Sequence, residues 1–228
     1  MPLLLLAVIF SSLVFAQLRP EPRGFYSNGD LLFARQLPLE GEGFMRLFLH
    51  RDRGWGSQEM INLLRRSAFT MNRLFPLRDR LQVGDLSAIL GGPITRHNSH
   101  QNGLDVDLTY YRTNSMEQLP DIFDGFIENM VIEGKISPNF DHERNWELMK
   151  ALHRNGRVQR IFVDQVIKNE LCAYARFVGE HETHTEVLRS LRHQGNHIHH
   201  LHVRLRCPLK ASHCSPQEDP PVGSGCEI

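Results

Sequence analysis

Two short stretches, far apart in the chain, carry histidine and aspartate residues at spacings suited to one metal site. They are residues 99–108 (SHQNGLDVDL) and residues 196–205 (NHIHHLHVRL). Each ends in alternating apolar and polar residues, the pattern of a half-buried β-strand. Two such strands side by side would bring a carboxylate and several imidazoles to one point, and both groups are zinc ligands. Three protein ligands and a water make a catalytic zinc site, so the pattern favours a zinc hydrolase.

The spacing suggests which residues would bind the metal. His100 and Asp107 are seven positions apart, and Gly103 between them lets the chain turn from a loop into a strand. His202 is the natural third ligand. His200 and His202 project from the same face of the predicted strand, so one imidazole can bind metal while the other accepts a proton from water.

Several neighbouring residues leave alternatives open. Asp105 shares the polar face with Asp107, so it could replace Asp107 as the ligand or orient a ligand histidine. His197 lies where the second strand begins and could enter the cleft from the loop. His97 is either a supporting group or a bystander. Strand alternation turns His199 to the opposite face, so we expect it to be solvated and its replacement to be nearly silent.

Other chemistries find no support in the sequence. The chain has no His-Glu-x-x-His, which excludes the helix-borne type of zinc protease, and no Gly-x-Ser-x-Gly of a serine hydrolase. The formal net charge is zero and no long basic run occurs, so nucleic acid is not an expected partner.

The first residues are typical of an export signal. Residues 2–15 are almost wholly apolar, and Val14-Phe15-Ala16 precedes Gln17, so we predict a signal peptide at residues 1–16. The alternative is a retained membrane anchor, but the apolar run is short for a span. We therefore expect no stable membrane insertion after signal removal. Of the 228 residues, 41% are hydrophobic, which suits a single domain over residues 17–228.

An exported chain with an even number of cysteines is expected to form disulfides. The four cysteines are Cys172, Cys207, Cys214 and Cys226. Cys207 and Cys214 flank a short loop, so the simplest pairing joins them and leaves Cys172 to join Cys226. The second bond would tether the C-terminal tail. A structural zinc site is the weaker alternative because there is no Cys-x-x-Cys pair.

The rest of the chain predicts an α+β domain. Ser57 and Asp141 are suited to cap helices, a third helix begins near Gln165, and Leu119 to about Val131 is a further helix candidate. Short strands are interspersed with these helices. We predict a small antiparallel sheet that carries the zinc site and is flanked by helices.

With these motifs the chain resembles the penicillin-insensitive murein endopeptidases, which belong with the lysostaphin, D-alanyl-D-alanine metallopeptidase and hedgehog group. The resemblance runs from about Asn28 to Cys226. Its motifs include Arg53-Gly54-Trp55-Gly56-Ser57, Val83-Gly84-Asp85-Leu86-Ser87, Gly91-Gly92-Pro93, Ser99-His100-Gln101, Gly103-Leu104-Asp105-Val106-Asp107, Ile161-Phe162-Val163, and the run from His200 to Pro208.

The resemblance implies a function and a role for each site residue. His100, Asp107 and His202 would bind one zinc per chain, His197 and His200 would be the catalytic pair, and His97 would be an auxiliary. The reaction would be hydrolysis of D-amino-acid-containing amide cross-links of peptidoglycan in the periplasm. Because no acyl-enzyme forms, such an enzyme would be insensitive to beta-lactams.

Two other functions remain open. One is a zinc-containing module that binds the cell wall without turnover, although both His197 and His200 are present. The other is a metal-dependent phosphoesterase, which would need more carboxylates and a stronger cationic phosphate clamp than Arg204 and Arg206 provide.

Overall fold

A computed structural model describes residues 19–226, so the predicted signal peptide lies outside the described residues. The strands, in chain order, are Glu21–Phe25 (β1), Asn28–Leu32 (β2), Arg35–Gln36 (β3), Glu40–Gly41 (β4), Phe44–Arg46 (β5), Trp55–Gly56 (β6), Leu81–Val83 (β7), Asp105–Thr109 (β8), Val131–Ile132 (β9), Lys135–Ile136 (β10), Val158–Val163 (β11), Leu191–His193 (β12) and His200–Leu205 (β13). The α-helices are Gln58–Leu74 (α1), His142–His153 (α2), Gln165–Phe177 (α3) and Thr185–Ser190 (α4), and a 3₁₀ helix spans Leu49–Arg51. Within residues 19–226, no helix combines the length and the apolar composition needed to cross a membrane.

The main sheet has seven strands in the order β12-β11-β13-β8-β7-β5-β4. Its middle strands, β11, β13, β8 and β7, pair antiparallel, whereas β12 joins β11 and β5 joins β7 in parallel. The α+β class is confirmed, but the small antiparallel sheet is wrong in size and type. Strands of two or three residues extend it at both edges, and such strands are too short to show a period-2 pattern.

Three helices begin at acceptor side chains that the sequence places before them. Ser57 Oγ accepts a hydrogen bond from the Met60 amide, and Asp141 and Asp164 accept from the second or third amides of α2 and α3. Such a cap contributes about 1 kcal/mol to helix stability. The apolar faces of these helices join the apolar side chains of the sheet in one core.

The two strands that carry the site are buried on both faces. Leu201, Val203 and Leu205 enter the core as their alternation predicts, but Arg204 on the other face is also buried. The Arg204 guanidinium lies 4.1 Å from the Tyr26 ring centroid, and it donates to Gln217 Oε1 at 3.0 Å. The half-buried strand expectation therefore fails on the polar face, because the N-terminal segment before α1, which we call the lead-in, and the C-terminal tail after β13 cover it.

The predicted helix from Leu119 to Val131 does not form. Residues 118–127, which we call the 118–127 loop, are irregular, and a short strand follows at Val131–Ile132. The Gln118 side chain donates to the Gly125 carbonyl at 2.8 Å and accepts from the Ile127 amide at 3.2 Å. These side-chain bonds occupy backbone groups that a helix would need for its own hydrogen bonds, so the segment stays non-helical.

Both disulfides have the expected pairing. Cys172–Cys226 joins α3 to the end of the tail, and Cys207–Cys214 closes the loop after β13. The second loop also supports the lead-in, because the Gly24 amide donates to the His213 carbonyl at 2.8 Å. The tail is thus fixed to the domain.

Candidate metal centre

The register of β8 and β13 brings the two sequence motifs together. The strands pair antiparallel, with His202 opposite Asp107 and Arg204 opposite Asp105. Directly opposed side chains in such a pair lie close enough to interact. A carboxylate and an imidazole separated by 95 positions in the sequence therefore become neighbours on one face of the sheet.

The loop before β8 adds His100 to this face. His100 has a left-handed backbone (φ 65°), and its amide donates to Asp105 Oδ2 at 3.0 Å. Gly103 also has positive φ (72°), and a Cβ there would meet the Leu31 side chain at 2.6 Å. The tight turn holds the His100 side chain fully buried beside the strand.

Ring nitrogens converge on the Asp107 carboxylate. His100 Nε2 lies 3.3 Å and His202 Nδ1 lies 3.5 Å from Asp107 Oδ1, while His97 Nδ1 lies 3.7 Å from Oδ2. Ligand atoms of His97, His100 and Asp107 all lie within 4.8 Å of one another. His100 Nε2 and Asp107 Oδ1 are buried without a hydrogen-bond partner. Buried polar atoms are rarely left unpaired, so this donor set fits a metal cation.

Each converging imidazole is held from behind by an oxygen. The Leu86 carbonyl lies 2.7 Å from His100 Nδ1, Asp85 Oδ2 lies 2.9 Å from His97 Nε2, and Asp105 Oδ1 lies 2.9 Å from His202 Nε2. Protonation of these outer nitrogens leaves the inner nitrogens as acceptors that face Asp107. Outer partners of this kind fix the tautomer and ring orientation of metal-binding histidines.

The two aspartates of β8 differ in their partners. Asp105 accepts from the Arg204 guanidinium at 2.7 Å and also pairs with His202 and the His100 amide. Both of its oxygens are therefore engaged, while Asp107 Oδ1 has no partner. This geometry favours Asp107 as the ligand and Asp105 as the residue that holds His202 and the His100 backbone in place.

His197 and His200 lie beside this group. His200 Nε2 is 3.6 Å from Asp107 Oδ1, and the His197 ring centroid is 4.8 Å from that of His200. His197 Nδ1 is 2.8 Å from the Gly195 carbonyl, which accepts from the ring when that nitrogen is protonated. Both predicted catalytic histidines thus adjoin the group of His97, His100 and Asp107 without being among its closest atoms.

The expected orientation of His199 is wrong, while the effect of its replacement stays a prediction. Its Nδ1 lies 2.6 Å from His200 Nδ1, and the two ring planes are only 13° apart. The strand begins at His200, so His199 belongs to the preceding turn and strand alternation does not apply to it.

Burial and neighbouring charges shift the pKa values of the site. Burial lowers the pKa of His200 to about 3 and that of His202 to about 4, so both rings are neutral at neutral pH. Burial also opposes protonation of His100, but the carboxylates of Asp107 and Asp105 outweigh it and raise its pKa to about 9. Burial favours the neutral Asp107 carboxyl, yet the adjacent histidines hold its pKa well below the ordinary range. A metal that binds here would displace the His100 proton.

Sequence reasoning missed two supports of the site. Asp85 is buried, and it pairs with Arg51 at 2.8 Å and Arg53 at 3.1 Å as well as with His97. The sequence offered one indication of Asp85, because it lies just after a strand in the Val83-Gly84-Asp85 motif. The Phe126 ring, whose centroid lies 4.7 Å from that of His200, had no signal because its loop resembled a helix.

The family model for penicillin-insensitive murein endopeptidase matches residues 22–228. The chain belongs to this family. The match spans both strand motifs, the histidines of the candidate centre and all four cysteines.

Curated relatives agree with the family assignment. A penicillin-insensitive murein endopeptidase of Haemophilus influenzae is 33% identical over 214 residues, covering 91% of this chain and 71% of the relative. That of Pectobacterium atrosepticum is 30% identical, covering 91% of this chain and 72% of the relative. That of Klebsiella pneumoniae is 31% identical, covering 89% and 72%. The similarity to these murein endopeptidases extends over nearly the whole chain.

Proposed function

We propose that this protein is a zinc-dependent murein endopeptidase that hydrolyses D-amino-acid-containing amide cross-links of peptidoglycan. The observation that carries the proposal is the partnerless buried pair, His100 Nε2 and Asp107 Oδ1, placed beside two further histidines in a member of this family. The substrate class is inferred from the family, and the zinc chemistry is inferred from the histidine and aspartate side chains of the site.

His100, Asp107 and His202 are the proposed zinc ligands, as the sequence predicts. His97 is the proposed auxiliary, because its inner nitrogen faces Asp107 and its outer nitrogen is held by Asp85, while three protein ligands leave a position for water. The His97 side chain is 16% exposed and that of His100 is fully buried, so His97 lies on the side of the group more open to solvent. Zinc, when bound, supplies a Lewis acid that polarises a carbonyl and makes water acidic near neutral pH.

The remaining steps belong to the chain's own groups. His200 Nε2 lies 3.6 Å from Asp107 Oδ1, beside the proposed zinc ligands, so we assign it the general base that removes a proton from the attacking water. His197 would donate to the oxygen that becomes negative in the transition state. Since no serine or cysteine nucleophile takes part, beta-lactams would have no group to acylate.

The proposed location is the periplasm. The predicted signal peptide at residues 1–16 would direct export, and the two disulfides suit an oxidising compartment. Peptidoglycan is the proposed partner, and nucleic acid is not.

Digestion of purified cross-linked muropeptides tests the proposal. The zinc-loaded protein should convert cross-linked dimers to monomers with and without penicillin. A chelator should abolish turnover and added zinc should restore it, with His200→Ala as the inactive control. Binding to the muropeptide without any turnover would instead support the non-catalytic wall-binding module.

A further inference from the structure

An aromatic ring from the 118–127 loop covers the proposed general base. The Phe126 and His200 ring centroids are 4.7 Å apart and their planes are 11° from parallel. Phe126 also lies 5.8 Å from the His199 ring at 23°. Because the two histidines are joined through their Nδ1 atoms, one phenyl face covers both members of the pair.

The rest of the structure provides a fitted slot for this ring. The edge of Phe126 meets Phe48 at a centroid distance of 5.1 Å and 78°, and it packs on the small cluster of Met45, Leu47 and Phe48. On the sheet side, a Cβ at Gly84 would lie only 2.7 Å from the Phe126 ring. The glycine of the Val83-Gly84-Asp85 motif therefore leaves the space that the ring fills.

The loop is fixed on both sides of Phe126. The Asp124 carboxylate pairs with Arg51 at 2.7 Å and with Arg96. The Gln118 side chain bonds the backbone of Gly125 and Ile127, which flank the ring. These bonds determine where the phenyl face lies relative to His200.

We propose that Phe126 is a positioning residue that holds the His200 imidazole with Nε2 turned toward Asp107. The proposal rests on the assignment of His200 as general base. Displacement of a general base by about 1 Å can lower the rate about a hundredfold. An aromatic ring that prevents such a displacement therefore affects catalysis without touching the substrate. The flat face is the feature that matters, since an aliphatic side chain fills volume but does not fix the rotation of a ring.

The test compares Phe126→Ala, Phe126→Leu and Phe126→Tyr, with Phe123→Ala as the matched control. Phe123 lies on the same loop, but its side chain is exposed. All variants are compared as folded, zinc-loaded protein, by circular dichroism and metal analysis. Turnover of a purified cross-linked muropeptide then gives kcat and KM separately.

We expect Phe126→Ala to lower kcat by about tenfold to a hundredfold, with zinc content and KM unchanged within about threefold. The Tyr variant should recover most of the activity, the Leu variant should not, and Phe123→Ala should match the unmodified protein. Full activity in Phe126→Ala, a change in KM alone, loss of zinc, or equal rescue by Leu and Tyr would each overturn the proposal.

A second variant addresses the same contact from the opposite side. Gly84→Ala should displace the phenyl ring and lower kcat, but it should cost little more when Phe126 is already alanine, because the two changes act on one contact. If the losses in kcat were additive, Gly84 would act on something other than the Phe126 ring, and the fitted slot would be wrong.

Side-chain order of His200, measured by carbon-13 relaxation of labelled histidine in zinc-loaded protein, needs no turnover. We expect the His200 ring to be more mobile in Phe126→Ala than in the unmodified protein, and its mobility to be unchanged in Phe123→Ala. If the unmodified protein failed to cleave any muropeptide, the proposed function would fail while this comparison still decided the positioning. Unchanged His200 mobility in Phe126→Ala would refute it.

Discussion

The histidines around Asp107 are distinguished by what holds each ring from behind. A backbone carbonyl holds His100, while carboxylates hold His97 and His202. A carboxylate can be removed by mutation without changing the ligand itself. The separate contributions of ligand and support can therefore be measured residue by residue.

Zinc content should rank these residues. We expect His100→Ala and Asp107→Ala to lose zinc almost completely, because their unpaired atoms lie at the centre of the group. Asp105→Asn should weaken zinc binding by about 10- to 100-fold, as loss of an outer partner does, and Asp85→Asn should weaken it less because Asp85 holds the auxiliary His97. Metal analysis after dialysis against a graded chelator measures this, with the exposed His193→Ala as control. Full zinc retention in Asp107→Ala would make Asp105 the candidate ligand.

The three histidines before His202 should differ in their effect on turnover. We expect His200→Ala to keep zinc and lose about 10²–10⁴-fold in rate as a general base, and His197→Ala to lose about 10²–10³-fold as an oxyanion donor. His199→Ala should lower the rate less than His200→Ala, because His199 acts only through its contact with His200. Muropeptide turnover at matched zinc content measures all three. Activity that survives in His200→Ala but not in His199→Ala would reverse their assignments.

At the scale of elements, ion pairs and a disulfide determine how loops lie against the sheet. The 118–127 loop is held by its Asp124 carboxylate, and the tail is held by Cys172–Cys226. Neither segment forms a helix or strand in the structure. Both should therefore respond to conditions that leave the core intact.

Acid should weaken the ion pairs that hold the 118–127 loop. Hydrogen bonds from Arg51 and Arg96 lower the pKa of Asp124 to about 2. The pKa is depressed relative to about 3.9 in an unfolded chain, so the stabilisation is complete above pH 4 and disappears as the pH falls through 2. Carboxyl NMR titration should give this pKa, and Arg96→Ala should raise it. An unshifted Asp124 pKa would contradict the anchoring.

The two disulfides should differ in their contribution to stability. Cys172 and Cys226 are 54 positions apart and Cys207 and Cys214 only 7. In the chain-entropy description, removing the disulfide that closes the longer loop lowers the free energy of unfolding by about 4 kcal/mol, and removing the other lowers it by about 2.5 kcal/mol. Denaturant unfolding of Cys172→Ala/Cys226→Ala and Cys207→Ala/Cys214→Ala variants compares them. A larger loss for the short loop would show that its contact with Gly24 outweighs chain entropy.

At the scale of the whole molecule, the proposed zinc site would link stability to zinc. Zinc that binds the folded chain alone should stabilise it by about 4 kcal/mol at a thousandfold excess over its Kd. For a domain of this size, that corresponds to roughly 10 °C in the unfolding midpoint. Calorimetry with zinc and with chelator should show the difference, and Asp107→Ala should not respond. A midpoint independent of zinc in the unmodified protein would contradict metal binding at this group.

The sequence by itself determined the local features of this protein. Capping side chains placed the starts of α1 and α2, alternation identified the strands that carry Asp107 and His202, and simple spacing gave the disulfide pairing. The caps, the alternation and the short Cys207–Cys214 loop depend on neighbours in sequence, where spacing and periodicity are informative, and Cys172–Cys226 followed by elimination. The family resemblance, carried by the same motifs, is confirmed over residues 22–228.

Only the tertiary structure decided how distant groups meet. It gave the seven-stranded mixed sheet, the burial of Arg204 beneath Tyr26, and the contact of His199 with His200. It also distinguished the surroundings of Asp105 and Asp107, which are equivalent in a strand pattern but face different partners. Cross-strand register, loop packing and burial depend on contacts between residues far apart in the chain. No local pattern contains those contacts, and this is why the Phe126 loop was mistaken for a helix.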